Sequence, residues 1–226
     1  MSRSVVSRGT PRCEHCSFAF RWCICAGVRK VETALAVDVL LHRREVWRPT
    51  STGRLIQRVM PSSRSHVFSQ DIPLSPDTVV RADKTLWILH PAGQSLPTQC
   101  DPSELQILLL DGSWREAARM RKTVEPWGRL IRLPEGGPSR YRLRSQHAGH
   151  MYSTVEALIL LLTALGLGDT AAQLRIQFEL HVYAGLRSRG AIREAADFLR
   201  ESPLENALPE VMRDLQERRR CSVHIP

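Results

Sequence analysis

The chain lacks any long hydrophobic run. Its longest mostly apolar stretch, Ala157 to Gly168, lies between Glu156 and Asp169; a membrane-spanning helix needs roughly 18 to 20 such residues. No transmembrane span and no membrane partner are therefore expected. The polar segment Met1 to Pro11 carries Arg3 and Arg8 and is followed by no apolar core, so no secretory signal peptide is read there and a cytoplasmic location is expected. Walker A, H-E-x-x-H and G-x-S-x-G patterns are absent, which removes the usual sequence support for phosphoryl transfer and simple hydrolysis. Internal repeats and low-complexity linkers are missing too. Acidic residues are the scarcer charge, 23 against 32 Lys and Arg, for a formal net charge of +9.

What is present is ordinary globular composition: 226 residues, 42% hydrophobic and 24% charged, enough for one core or a core with a small appendage. This excludes intrinsic disorder and fibrous repeats. The basic surplus is local. Residues 1–150 hold 23 basic and 13 acidic side chains, whereas residues 151–226 hold 9 and 10. A positive field confined to the first two thirds suits a surface that meets a polyanion, with nucleic acid the leading candidate and an Arg-rich solvated surface the alternative.

Four of the six cysteines crowd together as Cys13, Cys16, Cys23 and Cys25, in the spacing C-x2-C-x6-C-x-C. In a reducing compartment two close thiol pairs more often ligate a metal than form disulfides, and four thiolates match tetrahedral zinc. An iron-sulfur cluster uses the same ligands, and unligated thiols are the bland alternative. Phe18, Phe20, Trp22 and Ile24 are too few for a core of their own, so metal ligation would supply the folding energy of this knuckle. Cys100 and Cys221 stand alone and read as isolated thiols.

Beyond the knuckle the pattern alternates. Thr33–Leu41, Thr85–Leu89, Gln106–Leu110 and Arg129–Leu133 read as buried strands, and Thr50–Met60 and Arg115–Lys122 as helices. This predicts an α/β fold with a mostly parallel sheet, whose ligands bind where loops leave the carboxyl ends of the strands. Loops 42–54, 90–94, 111–114 and 134–154 are the candidates. From Ser153 onward the chain reads as helical scaffold, and the alternating charges of Arg187 to Arg220 as a solvated helix face.

Asp111 ends an apolar strand and is followed by Gly112, a placement suited to touching a ligand or taking a proton, or to capping the next helix. Trp114 could stack on a base or pack in the core. Thr50-Ser51-Thr52-Gly53-Arg54 places hydroxyls and N–H groups at a helix start, where they can hold an anion or simply cap. Ser153-Thr154-Val155-Glu156 reads as a capping box. Arg140, Arg142 and Arg144 would share one face of an extended segment near His147 and His150, suiting a phosphodiester backbone or forming a bare solvated edge.

Together the four cysteines, Thr50-Ser51-Thr52-Gly53-Arg54-Leu55, Leu109-Leu110-Asp111-Gly112-Ser113-Trp114 with Glu116-Ala117, Tyr141-Arg142-Leu143-Arg144 and Ser153-Thr154-Val155-Glu156-Ala157 resemble the DTW-domain family of tRNA-uridine aminocarboxypropyltransferases. The resemblance spans residues 12 to about 160. One departure is that Asp and Trp are separated by Gly112 and Ser113, with Ser113 in the hydroxyl position.

The resemblance implies a SPOUT-like fold with a trefoil knot. The knuckle would occupy residues 1–30, an S-adenosylmethionine-binding catalytic domain 31–168, and helices packing on that domain 169–226. It implies that Asp111, Gly112, Ser113, Trp114, Leu133, Pro134, Tyr152, Ser153 and Thr154 wrap the cofactor. Thr50, Ser51, Thr52 and Arg54 would face its aminocarboxypropyl arm or the tRNA, with Arg140, Arg142 and Arg144 on the RNA. The implied reaction transfers the 3-amino-3-carboxypropyl group to N3 of a tRNA uridine and releases methylthioadenosine. Asp111 is the candidate proton acceptor, with Glu156 in reserve, and zinc is structural. A SPOUT-type RNA methyltransferase and a non-catalytic zinc-dependent RNA-binding protein are the alternatives; oligomeric state is left open.

Overall fold

The computed structural model describes residues 10–144 and 151–218. His147, His150 and Cys221 lie outside them. The described residues cluster into two compact units. One comprises the described parts of 1–29, 140–145 and 176–226, and the other those of 30–139 and 146–175.

The second unit is built on a sheet of five parallel strands in the order β2-β1-β4-β3-β5. These are β1 (Ala36–His42), β2 (Arg64–Phe68), β3 (Thr85–Ser95), β4 (Leu105–Asp111) and β5 (Arg129–Arg132). The helices α1 (Thr52–Val59), α2 (Pro76–Val79), α3 (Trp114–Val124) and α4 (Thr154–Ala164) complete it, together with the start of α5 (Gly168–Ser188). β1 and β4 are buried at nearly every position and mostly apolar because parallel strands at the centre of a sheet are covered on both faces.

Side chains alternate between the two faces. Leu40, Ile88 and Leu108 join Met120 and Val124 of α3 in one cluster. The opposite parity, which includes Leu109 and Asp111, faces α1 and α4, both of which pack on β4. That parity decides which way Asp111 points.

Two expectations are corrected. β2 is an additional strand, missed because only Phe68 of its five residues is buried, so it carries no apolar signal. Residues 90–94 are not a simple turn: β3 continues to Ser95, with a register irregularity between Leu89 and Gln94 along β5. Gly93 permits this, since a Cβ there would lie 2.5 Å from the backbone of Leu130 and Ile131.

At the amino ends of the strands, fully buried Asp38 accepts from Gln106 Nε2 at 2.7 Å and Arg81 Nε at 3.1 Å, and lies 3.4 Å from His66 Nε2. Burial pushes its carboxyl group up, but His66, Arg81 and Gln106 outweigh this and hold it below its ordinary 3.8. A depressed folded-state value stabilises the protein above pH 3.8, a contribution lost as pH falls through the folded-state value. Asp38→Ala is expected to cost about 3–5 kcal/mol, because Arg81 keeps a largely buried unpaired charge. Urea denaturation at pH 7 and pH 3 checks both points: the variant's deficit shrinks at the lower pH.

The first unit holds the cysteine segment, the rest of α5, and α6 (Ile192–Arg200), α7 (Leu204–Ala207) and α8 (Pro209–Glu217). Phe18 and Ile24 are buried while Phe20 is exposed. Gln177 donates to the Gly27 carbonyl at 3.2 Å, and Arg218 donates to that of Cys23 at 2.8 Å. No helix among the described residues is long and apolar enough to cross a membrane.

Candidate functional site

Three strand-end loops of the sheet unit are tied together through one carboxylate. Asp111, the last residue of β4, is 4% exposed and pairs in register with Leu41 of β1. Its Oδ2 accepts from Ser51 Oγ at 2.7 Å, and its Oδ1 accepts from Thr154 Oγ1. Ser51 is the N-cap of α1 and Thr154 opens α4, so two helix starts, each favourable to negative charge, meet the same group. Asp111 does not cap α3, contrary to one sequence reading. Ser113 does, in a reciprocal capping box with Glu116.

The approach of α1 to Asp111 depends on Gly53, where a Cβ would lie 2.8 Å from Asp111 Cγ and 2.9 Å from Oδ2. Asp111 is short and held at both oxygens, so it cannot yield cheaply. Gly53→Ala is expected to destabilise by about 1–3 kcal/mol through overpacking and to lower activity more than stability, as thermal melting and turnover compared side by side will show.

The other predicted residues fall around this link. Thr52 is buried, Thr50 and Arg54 are half-buried, and the Arg54 N–H donates to Ser51 Oγ at 3.2 Å. Gly112 is half-buried, Ser113 is exposed, and Trp114 is 44% exposed and so is not a core residue. After β5, Leu133 is half-buried and Pro134 exposed. Tyr152 closes the loop that follows: its hydroxyl accepts from Gly136 N at 3.1 Å and donates to the Gly137 carbonyl at 3.0 Å. Glu156 forms the capping box with Ser153 and also accepts from Ser139 Oγ at 2.9 Å.

The charged stretch His42-Arg43-Arg44-Glu45, which in the sequence only adds charge ahead of the α1 start, acquires a specific partner. His42 Nδ1 lies 3.2 Å from Glu116 Oε1, with Arg44 at 3.6 Å from the same oxygen. Burial raises the Glu116 carboxyl, yet hydrogen bonds from Ser113 and the charges of His42 and Arg48 bring it below its ordinary value. Sequence reasoning missed Ser139, since nothing in its local sequence announces a partner 17 residues away.

Arg140, Arg142 and Arg144 belong to the other unit. They do not line an extended strand, since residues 142 and 143 form a turn. Arg140 forms a two-pronged bridge to buried Glu179 at 2.7 and 3.0 Å, pairs with Glu201 and lies over the Phe198 ring. Arg142 is exposed.

In that unit the Sγ atoms of Cys13, Cys16, Cys23 and Cys25 lie within 4.8 Å of one another. Cys13–Cys25 and Cys16–Cys23 are separated by 3.6 and 3.8 Å. Both distances far exceed a disulfide bond. They approach the edge of about 3.8 Å that a tetrahedron with zinc–sulfur bonds of about 2.3 Å would have. Burial pushes the Cys13 thiol up, but backbone N–H groups of Cys16 and His15 bring it down to about 6. Burial and the charge of Cys16 push Cys25 up. Four such thiols ionise together only around a cation, so the donor set fits a zinc ion, which these residues could bind.

Fold and site thus define an α/β protein with a carboxylate-centred cluster at the carboxyl ends of a parallel sheet and a four-cysteine knuckle. The family model of the DTW domain matches residues 10–184. The chain belongs to the DTW-domain family, which suggests a tRNA-modifying role. No solved structure matches it.

Proposed function

We propose that the chain transfers the 3-amino-3-carboxypropyl group of S-adenosylmethionine to N3 of a uridine in tRNA. The observation that carries this reading is the Ser51–Asp111–Thr154 link, which joins, at one buried carboxylate, the family motifs around Thr50–Leu55, Leu109–Trp114 and Ser153–Ala157. Residues 111–114, 133–134 and 152–154 form the cofactor pocket in a SPOUT-like arrangement. Their chemistry fits the ligand: Asp111 offers negative charge to a sulfonium, and Trp114 a half-exposed plane to an adenine.

S-adenosylmethionine supplies a positive sulfur that leaves as neutral methylthioadenosine when the propyl carbon is attacked. The chain's own part is orientation and proton removal. Uracil N3 is a poor nucleophile while protonated, and Asp111 is the group that takes its proton. Each oxygen of a carboxylate has two lone pairs, so accepting hydroxyl protons from Ser51 and Thr154 does not by itself stop it acting as a base. Glu156 positions: it fixes the start of α4 and the Ser139 loop. Thr50, Thr52 and Arg54 flank the aminocarboxypropyl arm or the RNA, and Arg142 with Arg144 contributes to tRNA attraction. The four cysteines hold a structural zinc.

Incubation with S-adenosylmethionine and unmodified tRNA, followed by mass spectrometry of the digested nucleosides, tests this. Aminocarboxypropyluridine is the expected product; methyluridine would assign a methyltransferase.

A further inference from the structure

Among the described residues Trp47 is the most exposed of the large apolar side chains, at 84%, yet it does not lie on a loose loop. Successive backbone hydrogen bonds fold residues 42–51 into turns: Glu45 N to the His42 carbonyl at 2.7 Å, Arg48 N to that of Glu45 at 3.1 Å, and Ser51 N to that of Arg48 at 3.0 Å. Glu45 is fully buried beneath the loop and pairs with Arg48 at 2.7 Å. Ser51, where the loop ends, is the residue that bonds Asp111. The loop therefore presents an indole to solvent from a braced frame that leads directly into the candidate site.

The surroundings indicate what the indole meets. Arg43, Arg44 and Arg48 are exposed on the same loop, each beside a carboxylate that orients it: Arg43 pairs with Asp71 at 2.7 Å, Arg48 with buried Glu45 at 2.7 Å, and Arg44 lies 3.6 Å from Glu116. One exposed aromatic plane on a loop that carries three guanidiniums suits a nucleobase and the phosphates beside it. A base that must be alkylated at N3 has to leave its stack, and an exposed aromatic face compensates the lost stacking.

We infer that Trp47 is a stacking platform for an unpaired base of the RNA substrate, positioning the target uridine or its neighbour at the Asp111 site. This rests on the reading that the chain acts on tRNA and names a residue outside the motifs that carry that reading.

The experiment uses the full chain and unmodified tRNA in filter binding across a salt series, with W47A and W47F. W47A is expected to weaken binding about five- to a hundredfold, the range for loss of one stacked base. The slope of affinity against salt should stay unchanged, because no phosphate contact is removed. W47F keeps an aromatic face and should stay close to wild type. Thermal melting should be unaltered, since the side chain packs against little. Wild-type affinity for W47A overturns the proposal, as does loss of a self-associated form in sedimentation with tRNA affinity intact. Failure of the transferase reading looks different: binding depends on Trp47, but no aminocarboxypropyluridine forms.

Discussion

Replacing Asp111 by Asn is expected to lower the turnover of tRNA modification by about a hundred- to ten-thousandfold, the usual contribution of a positioned proton acceptor. The substitution is nearly isosteric, yet it leaves either Ser51 or Thr154 facing an amide N–H₂ instead of an acceptor, so some disturbance of the loops is built in. The pH profile separates the two effects. As pH rises, uracil N3 loses its proton to solvent and needs the carboxylate less, so a base role makes the deficit of Asp111→Asn narrow toward alkaline pH. A purely positioning role leaves the ratio flat. Single-turnover rates at saturating S-adenosylmethionine from pH 6 to pH 9 make the comparison.

Removal of the proposed zinc should have the largest effect on structure. The cysteine segment buries little beyond Phe18 and Ile24, whereas structural zinc contributes on the order of 10–16 kcal/mol in small domains at neutral pH, comparable to the whole stability of a typical domain. Metal analysis of the purified protein should return one zinc per chain. Stripping it with a chelator, or changing Cys16 to Ser, should lower the melting temperature sharply and release thiols to a colorimetric reagent. Full thermal stability of metal-free protein would place the folding energy elsewhere, and iron in place of zinc would reassign the centre.

How much of this could be read from sequence depends on separation along the chain. The N-caps at Ser51 and Ser153 were legible because a cap is a local device: the hydroxyl serves an N–H three residues on. The central strands were legible because burial on both faces writes a mostly apolar run. β2, an edge strand with mostly polar side chains, writes none. The cysteine cluster was legible from spacing, which brings four thiols within reach before any fold is known.

The link at Asp111 was only half legible. Its position after an apolar strand marked it, but its partners lie 60 and 43 residues away, and only the parity of β4 and the packing of α1 and α4 select them. The same holds for Arg140. The alternation of Arg140, Arg142 and Arg144 suggests three equivalent cations, while the fold commits the first to Glu179, 39 residues on. Tertiary pairing of charges leaves no local trace.

The proposed reaction is defined by which substituent of the sulfonium is presented to the base. Wild-type protein incubated with S-adenosylmethionine and unmodified tRNA, with nucleosides and small-molecule products resolved by liquid chromatography and mass spectrometry, measures it directly. Aminocarboxypropyluridine and methylthioadenosine are expected in equal amounts. Methyluridine with S-adenosylhomocysteine, or unaltered tRNA from zinc-replete protein, would contradict the proposed reaction.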